Sequence, residues 1–385
     1  MKTVHGVIRP PLENSRPLVL HTRCVSGHGG GPEKTILNSP RYLRRFGYDS
    51  VCAYMHPPVD PGWGTLCSRA AERDAELLSI PDRGAWDWKV LSQLVKCCRG
   101  RKVAIWHGHD YKSNALGLAV NRFWPMKLVT TVHGWVQHTW RTPLYYAIDK
   151  ACLRHYDQVI CVSEDLFQTC RDLGIPSNRC HQIENAIDVD EFRRPSGPVC
   201  TSEQSDRPLV IGAMGRLSEE KGFGLLIRAV DELLSEGRSL ELLIAGDGHL
   251  RASLQGLIGE LGRNAEIRLV GQVEDPKEYF LGLDVFVLSS LREGLPNVLL
   301  ESMALGVPVI ATRVAGIPRL IEHDQHGWLI EPGTVAALVG GVRHWATLDD
   351  YGRRWAARAR ERVEQSFSFH RRMERVVAVY DELLL

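Results

Sequence analysis

Two acidic residues, Glu293 and Glu301, bracket the segment Gly294-Leu295-Pro296-Asn297-Val298. A short apolar run, Val285–Leu288, leads into them, and Pro296 suits the first turn of a helix. This places Glu293 in a strand-to-helix loop and Glu301 about a turn and a half into the helix. Backbone amides from Gly294 to Val298 then point out of a helix N-terminus, where a phosphate or a sugar oxygen is favoured. A carboxylate at Glu301 can accept both hydroxyls of a ribose, while Glu293 reaches sugar hydroxyls. The alternative is a pair of solvated glutamates. It suits Glu301 poorly, because Val298, Leu299, Leu300, Met303 and Ala304 surround it, and a carboxylate among apolar groups is costly unless donors face it.

Two further loops carry groups of the same chemistry. Gly215-Arg216-Leu217-Ser218-Glu219-Glu220-Lys221-Gly222 follows the run Val210–Met214. Arg216 and Lys221 supply cations that suit a diphosphate, whose charge is spread over several oxygens. Beside Glu219 and Glu220 they read equally well as solvated surface charges. The loop Gly27-His28-Gly29-Gly30-Gly31-Pro32-Glu33-Lys34-Thr35 follows Leu18–His21. Its glycines let amides approach a ligand closely, and a helix begins near Pro32. Lys34 is not preceded by glycine, and Pro32 stands where the third glycine of a dinucleotide fingerprint belongs. The spacing therefore speaks against an ATPase and an ordinary NAD enzyme. A ligand contact and a tight turn both remain open.

The elements that must position these loops repeat along the chain. In the first half, apolar or β-branched runs predict strands at Leu18–His21, Val51–Tyr54, Val103–Trp106, Leu128–Val132, Gln158–Val162 and His181–Ile183. In the second half the same reading gives Val210–Met214, Leu240–Ala245, Ile267–Val270, Val285–Leu288 and Val307–Ala311. Helices fill the gaps, among them Phe223–Leu234, Leu250–Leu261 and one that starts at the cap Ser163 and stops before Gly174. Residues 193–208, rich in proline and polar groups, read as a linker. The expected division is a domain over 1–192, the linker, a second domain over 209–367, and a terminal helix over 368–385 that crosses back to the first. Two such βα arrays predict an α/β chain of two doubly wound parallel sheets, with ligands at the strands' carboxyl ends in a cleft between them.

Bulk properties exclude other classes. The 385 residues exceed what one core usually supports, and a net charge of +1 gives no global field for nucleic acid. Met1 to Pro17 lacks the apolar core of a signal peptide, and no segment reaches the length of a membrane span, so a cytoplasmic location is expected. The ten cysteines all lie at or before Cys200 without a C-x-x-C pair, which favours free thiols over disulfides or zinc.

Joined in this order, the motifs resemble those of the retaining glycosyltransferases of family four, which have the GT-B fold of two Rossmann-like domains. The resemblance covers nearly the whole chain: Gly29–Gly31, Gly215-Arg216 to Lys221-Gly222, Gly246-Asp247-Gly248, Gly271, the glutamate pair and Gly306-Val307-Pro308-Val309-Ile310-Ala311. It implies that Arg216 and Lys221 neutralise a donor diphosphate, Glu301 holds the ribose, Glu293 contacts the transferred sugar and His133 stands near its reacting face. Gly30, Gly31, Asn185, Gly215, Gly246, Gly248, Gly294, Leu295, Pro296, Asn297 and Val298 complete the implied donor site. Ala186 departs from the glycine more usual after the asparagine.

The implied reaction transfers a hexose from a nucleotide diphosphate, uridine first among the bases, with retention and without a metal or other cofactor. Fixed cations and amides stabilise the leaving phosphate. The acceptor is a glycan, a lipid-linked sugar or a small molecule, with His109, Tyr111, Trp135 and Arg141 as candidate contacts, and no nucleic acid is expected as a partner. The basic and aromatic stretch 122–127 is a candidate peripheral contact with the inner face of a membrane. An epimerase or phosphorylase on the same scaffold and a non-catalytic binding subunit are the rival readings. No lysine is marked for pyridoxal, and Arg216, Lys221, Glu293 and Glu301 are all present, which a silent subunit would not need.

Overall fold

Short apolar strands alternate with helices through both halves of the chain, and each half forms one parallel sheet. The structure is a computed structural model and describes residues 16–27, 29–84, 87–134, 142–195, 207–273, 275–348, 350 and 352–385. The chain divides into two compact units, one ending at Glu184 but joined by Arg372–Leu385, the other spanning Asn185–Arg371.

The first unit contains β1 (Leu18–Cys24), β2 (Asp49–His56), β3 (Leu77–Pro81), β4 (Val103–Gly108), β5 (Lys127–Val132), β6 (Gln158–Cys161) and β7 (Cys180–Gln182), in the order β3-β2-β1-β4-β5-β6-β7. The second contains β8 (Leu209–Met214), β9 (Leu240–Ala245), β10 (Ile267–Gly271), β11 (Val285–Leu288), β12 (Val309–Thr312) and β13 (Trp328–Ile330), in the order β10-β9-β8-β11-β12-β13. Both sheets wind outward from their first strand and then reverse. The reversal leaves a crevice at the carboxyl ends of β1 and β4 in one unit and of β8 and β11 in the other, where doubly wound sheets bind ligands.

Burial explains the strand composition. All four residues of β6 and of β11 are buried, as expected of strands covered by helices on both faces. One face of the second sheet packs Ile211, Leu242 and Val287 against Leu226, Ile227 and Val230 of the helix Phe223–Ser235. Its other face packs Phe286 and Leu288 against Leu299, Leu300 and Met303 of the helix Asn297–Ala304. In the first unit Leu20, Val103, Trp106, Leu128 and Val159 form a comparable core.

The helix ends follow local rules. Ser163 Oγ accepts from the Leu166 amide at 3.4 Å to cap Glu164–Asp172, and Gly174 takes φ +83° just beyond it. The helix Phe369–Leu384 is docked into the first unit by Arg372, which donates to the carbonyls of Ile183 at 2.9 Å and Glu184 at 2.7 Å.

Two strands, β3 and β13, were not expected from the sequence. Each is an edge strand, and β3 is mostly half-buried or exposed while β13 has only three residues, so neither carries a long apolar run. Pro296 also sits one place earlier than the first helical turn. It is the cap of Asn297–Ala304, with φ −75° and ψ 125°. Residues 196–206 of the expected linker lie outside the described residues. The nine described cysteines are free thiols. Among the described residues no helix is long and apolar enough to cross a membrane.

Candidate functional site

In the second unit, three loops meet at the carboxyl ends of β8, β9 and β11. The contacts are too close for side chains. A Cβ on Gly246, which has φ +129°, would lie 1.9 Å from the Gly215 carbonyl oxygen, and one on Gly222 would lie 2.3 Å from that of Ser289. Glycine is required where these backbones touch. Hydrogen bonds then fix the arrangement. Ser289 Oγ donates to the Lys221 carbonyl at 2.8 Å, and the Leu291 amide donates to the Glu220 carbonyl at 2.7 Å.

The ionic groups follow from this backbone. Lys221 Nζ lies 2.5 Å from Glu293 Oε1, which also accepts from Ser290 Oγ at 2.7 Å. Lys221 and Glu293 are 17% and 9% exposed, so the pair is largely withdrawn from water and spans the crevice between the β8 and β11 loops. Arg216 is exposed, within Coulombic reach of Glu220. Glu301 is completely buried, on the face of its helix that also holds Leu300 and Ala304. Gly294 is exposed, Leu295, Asn297 and Val298 are half-buried, and Pro296 is buried. Gly248 packs so tightly on the Gly215 loop that a Cβ would meet the Leu217 carbonyl oxygen at 2.4 Å. Asn185 is half-buried, two residues before Ile187 pairs with Ser368.

The chain holds one Asp-x-Asp triplet, Asp188-Val189-Asp190, a carboxylate pattern able to meet a divalent ion. Asp188 has a structural task there: its Oδ1 accepts from the amides of Asp190 and Glu191 at 3.1 Å and closes a turn.

In the first unit the glycine loop is braced from within. The Gly30 amide donates to Glu33 Oε2 at 2.5 Å, and Glu33 Oε1 lies 2.5 Å from Arg23 Nε. The Gly27 amide donates to Asp60 at 3.0 Å. The Gly30 amide is thus already engaged, while Gly31, the first residue of the helix Gly31–Leu43, is exposed.

Beside this loop, at the reversal between β1 and β4, stands a cluster that the sequence reading named only singly, His133 as a sugar contact and His109 as an acceptor contact, without His21. His21 on β1, His107 and His109 at the end of β4, and His133 after β5 come together. His21 Nδ1 is 3.0 Å from His109 Nε2, and His109 Nδ1 is 3.2 Å from His133 Nε2. His107 instead bonds Tyr380 through Nδ1 at 2.5 Å and Thr131 Oγ1 through Nε2 at 2.7 Å. Burial, reinforced by the Arg372 cation, pushes His21 down to about 3. Burial first, then neighbouring histidines and arginines, holds His107, His109 and His133 well below the ordinary imidazole range. All four rings are neutral at physiological pH. The signal was available: positions 107 and 109 share one face of a strand, and residue 21 stands beside 107 in the adjacent parallel strand.

Of the other expected acceptor contacts, Tyr111 stacks on Tyr145 with ring centres 4.9 Å apart, and burial pushes its hydroxyl up to about 12. Trp135 and Arg141 lie outside the described residues.

Comparison with known proteins decides the family. Residues 29–191 match the family described as Glycosyltransferase Family 4, and residues 201–362 match Glycosyl transferases group 1. The chain belongs to the family 4 glycosyltransferases. The amylovoran biosynthesis glycosyltransferase AmsK of Erwinia amylovora is 30% identical over 55% of this chain and 53% of its own length. The lipopolysaccharide core biosynthesis glycosyltransferase LpsE of Rhizobium meliloti is 33% identical over 60% of the chain and 65% of its own length. The chain thus spans between about half and two thirds of the length of these relatives. Among solved structures, Anabaena HepE in complex with UDP and glucose superposes with a TM-score of 0.78, covering 95% of this chain and 100% of that one at 18% identity. The fold is GT-B.

Proposed function

We propose that this transferase moves a hexose from a uridine diphosphate sugar to a glycan or lipid-linked acceptor in polysaccharide assembly, with retention of configuration and without a metal. The observation that carries the reading is the ion pair of Lys221 and Glu293, which joins two motifs 72 residues apart at the crevice of the second sheet. A diphosphate arriving there meets Arg216, already exposed, and a lysine that can exchange one oxygen partner for another. Charge developing on the leaving phosphate is met by fixed cations rather than by reorganising water. Glu293, freed or shared, is then placed to accept hydroxyls of the sugar. Glu301 serves as the ribose clamp, with Gly215, Gly246, Gly248, Asn185 and the segment 294–298 lining the donor side. Within the first unit, His133 is read as a contact of the transferred sugar, with Gly31, His109 and Tyr111 as further substrate contacts. Uridine as the base is supported by HepE, and a polysaccharide or lipid-borne acceptor by AmsK and LpsE.

Thermal-shift screening of the purified protein against uridine, guanosine and adenosine diphosphate sugars tests the donor. Stabilisation by a uridine diphosphate hexose, absent in Arg216→Ala, is expected. A response to none of the panel overturns the reading.

A further inference from the structure

The four neutral histidines of the first sheet invite comparison with a metal site, since donor atoms of His21, His107 and His109 lie within 4.8 Å of one another. Ring geometry argues otherwise. A zinc ion needs in-plane lone pairs that converge about 2.0–2.1 Å away. The His107 and His109 rings are stacked face to face, 4.4 Å apart and 17° from parallel, so their in-plane lone pairs do not converge. His107 also has both nitrogens engaged with Tyr380 and Thr131. The other three rings meet edge to edge: nitrogens approach to 3.0 Å and 3.2 Å while ring centres stay 5.3 Å and 5.5 Å apart. That is the geometry of a hydrogen-bonded chain.

A neutral imidazole has one N–H and one lone pair, and His109 uses both nitrogens. Both hydrogen bonds must therefore run in the same direction along the chain. The end of the chain selects which. His21 Nε2 is buried and has no hydrogen-bond partner among the described residues. If the protons pointed from His133 towards His21, this atom would be a buried, unsatisfied N–H. With the opposite direction it is only an unsatisfied lone pair, the more tolerable of the two defects. The His109 ring is further held by its backbone, whose amide donates to Ser113 Oγ at 3.0 Å and to the Thr22 carbonyl at 3.1 Å.

We propose that His21 and His109 are positioning residues that set the tautomer of His133. His21 Nδ1–H donates to His109 Nε2, His109 Nδ1–H donates to His133 Nε2, and the single proton of His133 is left on Nδ1. The transferase thereby presents a hydrogen-bond donor, not a base, at Nδ1 of His133. The inference rests on the reading above that His133 faces the transferred sugar.

Nuclear magnetic resonance of protein labelled with 15N-histidine tests it directly, with His133 assigned by its loss in His133→Gln. The wild type should show His133 protonated on Nδ1. His21→Asp puts an acceptor where the first donor stood, so His109 must donate to it from Nε2; the chain then reverses and should move that proton to Nε2 of His133, while turnover falls about ten-fold with the KM for donor little changed. His21→Asn keeps an N–H at the Nδ1 position and should restore the wild-type spectrum and most of the turnover. A wild-type His133 protonated on Nε2 overturns the proposal. So does identical behaviour of the Asp and Asn variants, or one equivalent of zinc retained by the wild type through dialysis. If the spectra behave as expected but His133→Ala turns over normally, the hydrogen-bond chain stands and the placing of His133 at the sugar falls.

Discussion

The two sheets share a winding order and open a crevice at the same point of that order, yet they fill it with opposite chemistry. Between β8 and β11 the second unit places an ion pair, Lys221 with Glu293, and an exposed arginine beside it. Between β1 and β4 the first unit places uncharged imidazoles, buried and mutually hydrogen-bonded. The difference follows from burial. The second crevice keeps its charges because each has a partner or water. The first removes water so thoroughly that a charged ring is not tolerated, and its polarity survives only as oriented N–H groups. One crevice is suited to hold a charge, the other to aim a dipole.

Separating the two cations of the charged crevice should give the largest effect. Arg216→Ala and Lys221→Ala should each lower turnover by about 100-fold or more, the scale of losing one fixed donor to a developing charge. Only Lys221→Ala should also lower stability, by about 1–3 kcal/mol, because it strips the partner from a carboxylate that is 9% exposed. Urea unfolding separates the two variants. Equal midpoints would contradict the assignment of one free and one structural cation.

Acid should distinguish the crevices next. The histidines of the first unit ionise far less readily folded than unfolded, so below about pH 6.5 the unfolded chain binds protons that the folded chain does not. Their cost is absent above pH 6.5 and grows as pH falls towards the folded value, about 3 for His21. The slope approaches about 1.4 kcal/mol per pH unit for each histidine. Unfolding midpoints should hold from pH 7.5 to about pH 6.5 and then fall continuously to pH 5, and His21→Asn should reduce the slope. A flat profile to pH 5 would break the contrast.

The smallest effect is expected at Glu219, which pairs with His249 at 3.0 Å where both side chains are mostly exposed. Glu219→Gln should leave the melting temperature unchanged within error, although it lies two residues from Lys221. A clear shift would extend the charged crevice further along the loop than Lys221 and Glu293.

Much of this was legible in sequence where function imposes local pattern. The Glu293–Glu301 segment and the Gly215–Gly222 loop are contiguous, so their residue types and spacing announce a strand end, a tight turn and a helix start. Strands Leu240–Ala245 and Val285–Leu288 stand where their apolar runs end, because both faces are covered. Edge strands β3 and β13 were not legible, since an edge needs less apolar cover. The ion pair itself was hidden as well: Glu293 was read as a sugar contact and Lys221 as a phosphate contact, and nothing local says that they meet. The histidine chain was hidden for the same reason. Its members come from three strands that become neighbours only when the sheet winds.

The helix Phe369–Leu384 carries one more consequence. Its Tyr380 bonds His107 and so closes the first unit from 273 positions away, with the whole second unit lying between them in the chain. On the ribosome the first unit therefore cannot finish as it emerges. Its centre must wait, open and partly hydrated, until the second unit has been made and the helix arrives, so the last step of its folding follows the synthesis of the second unit rather than of its own strands.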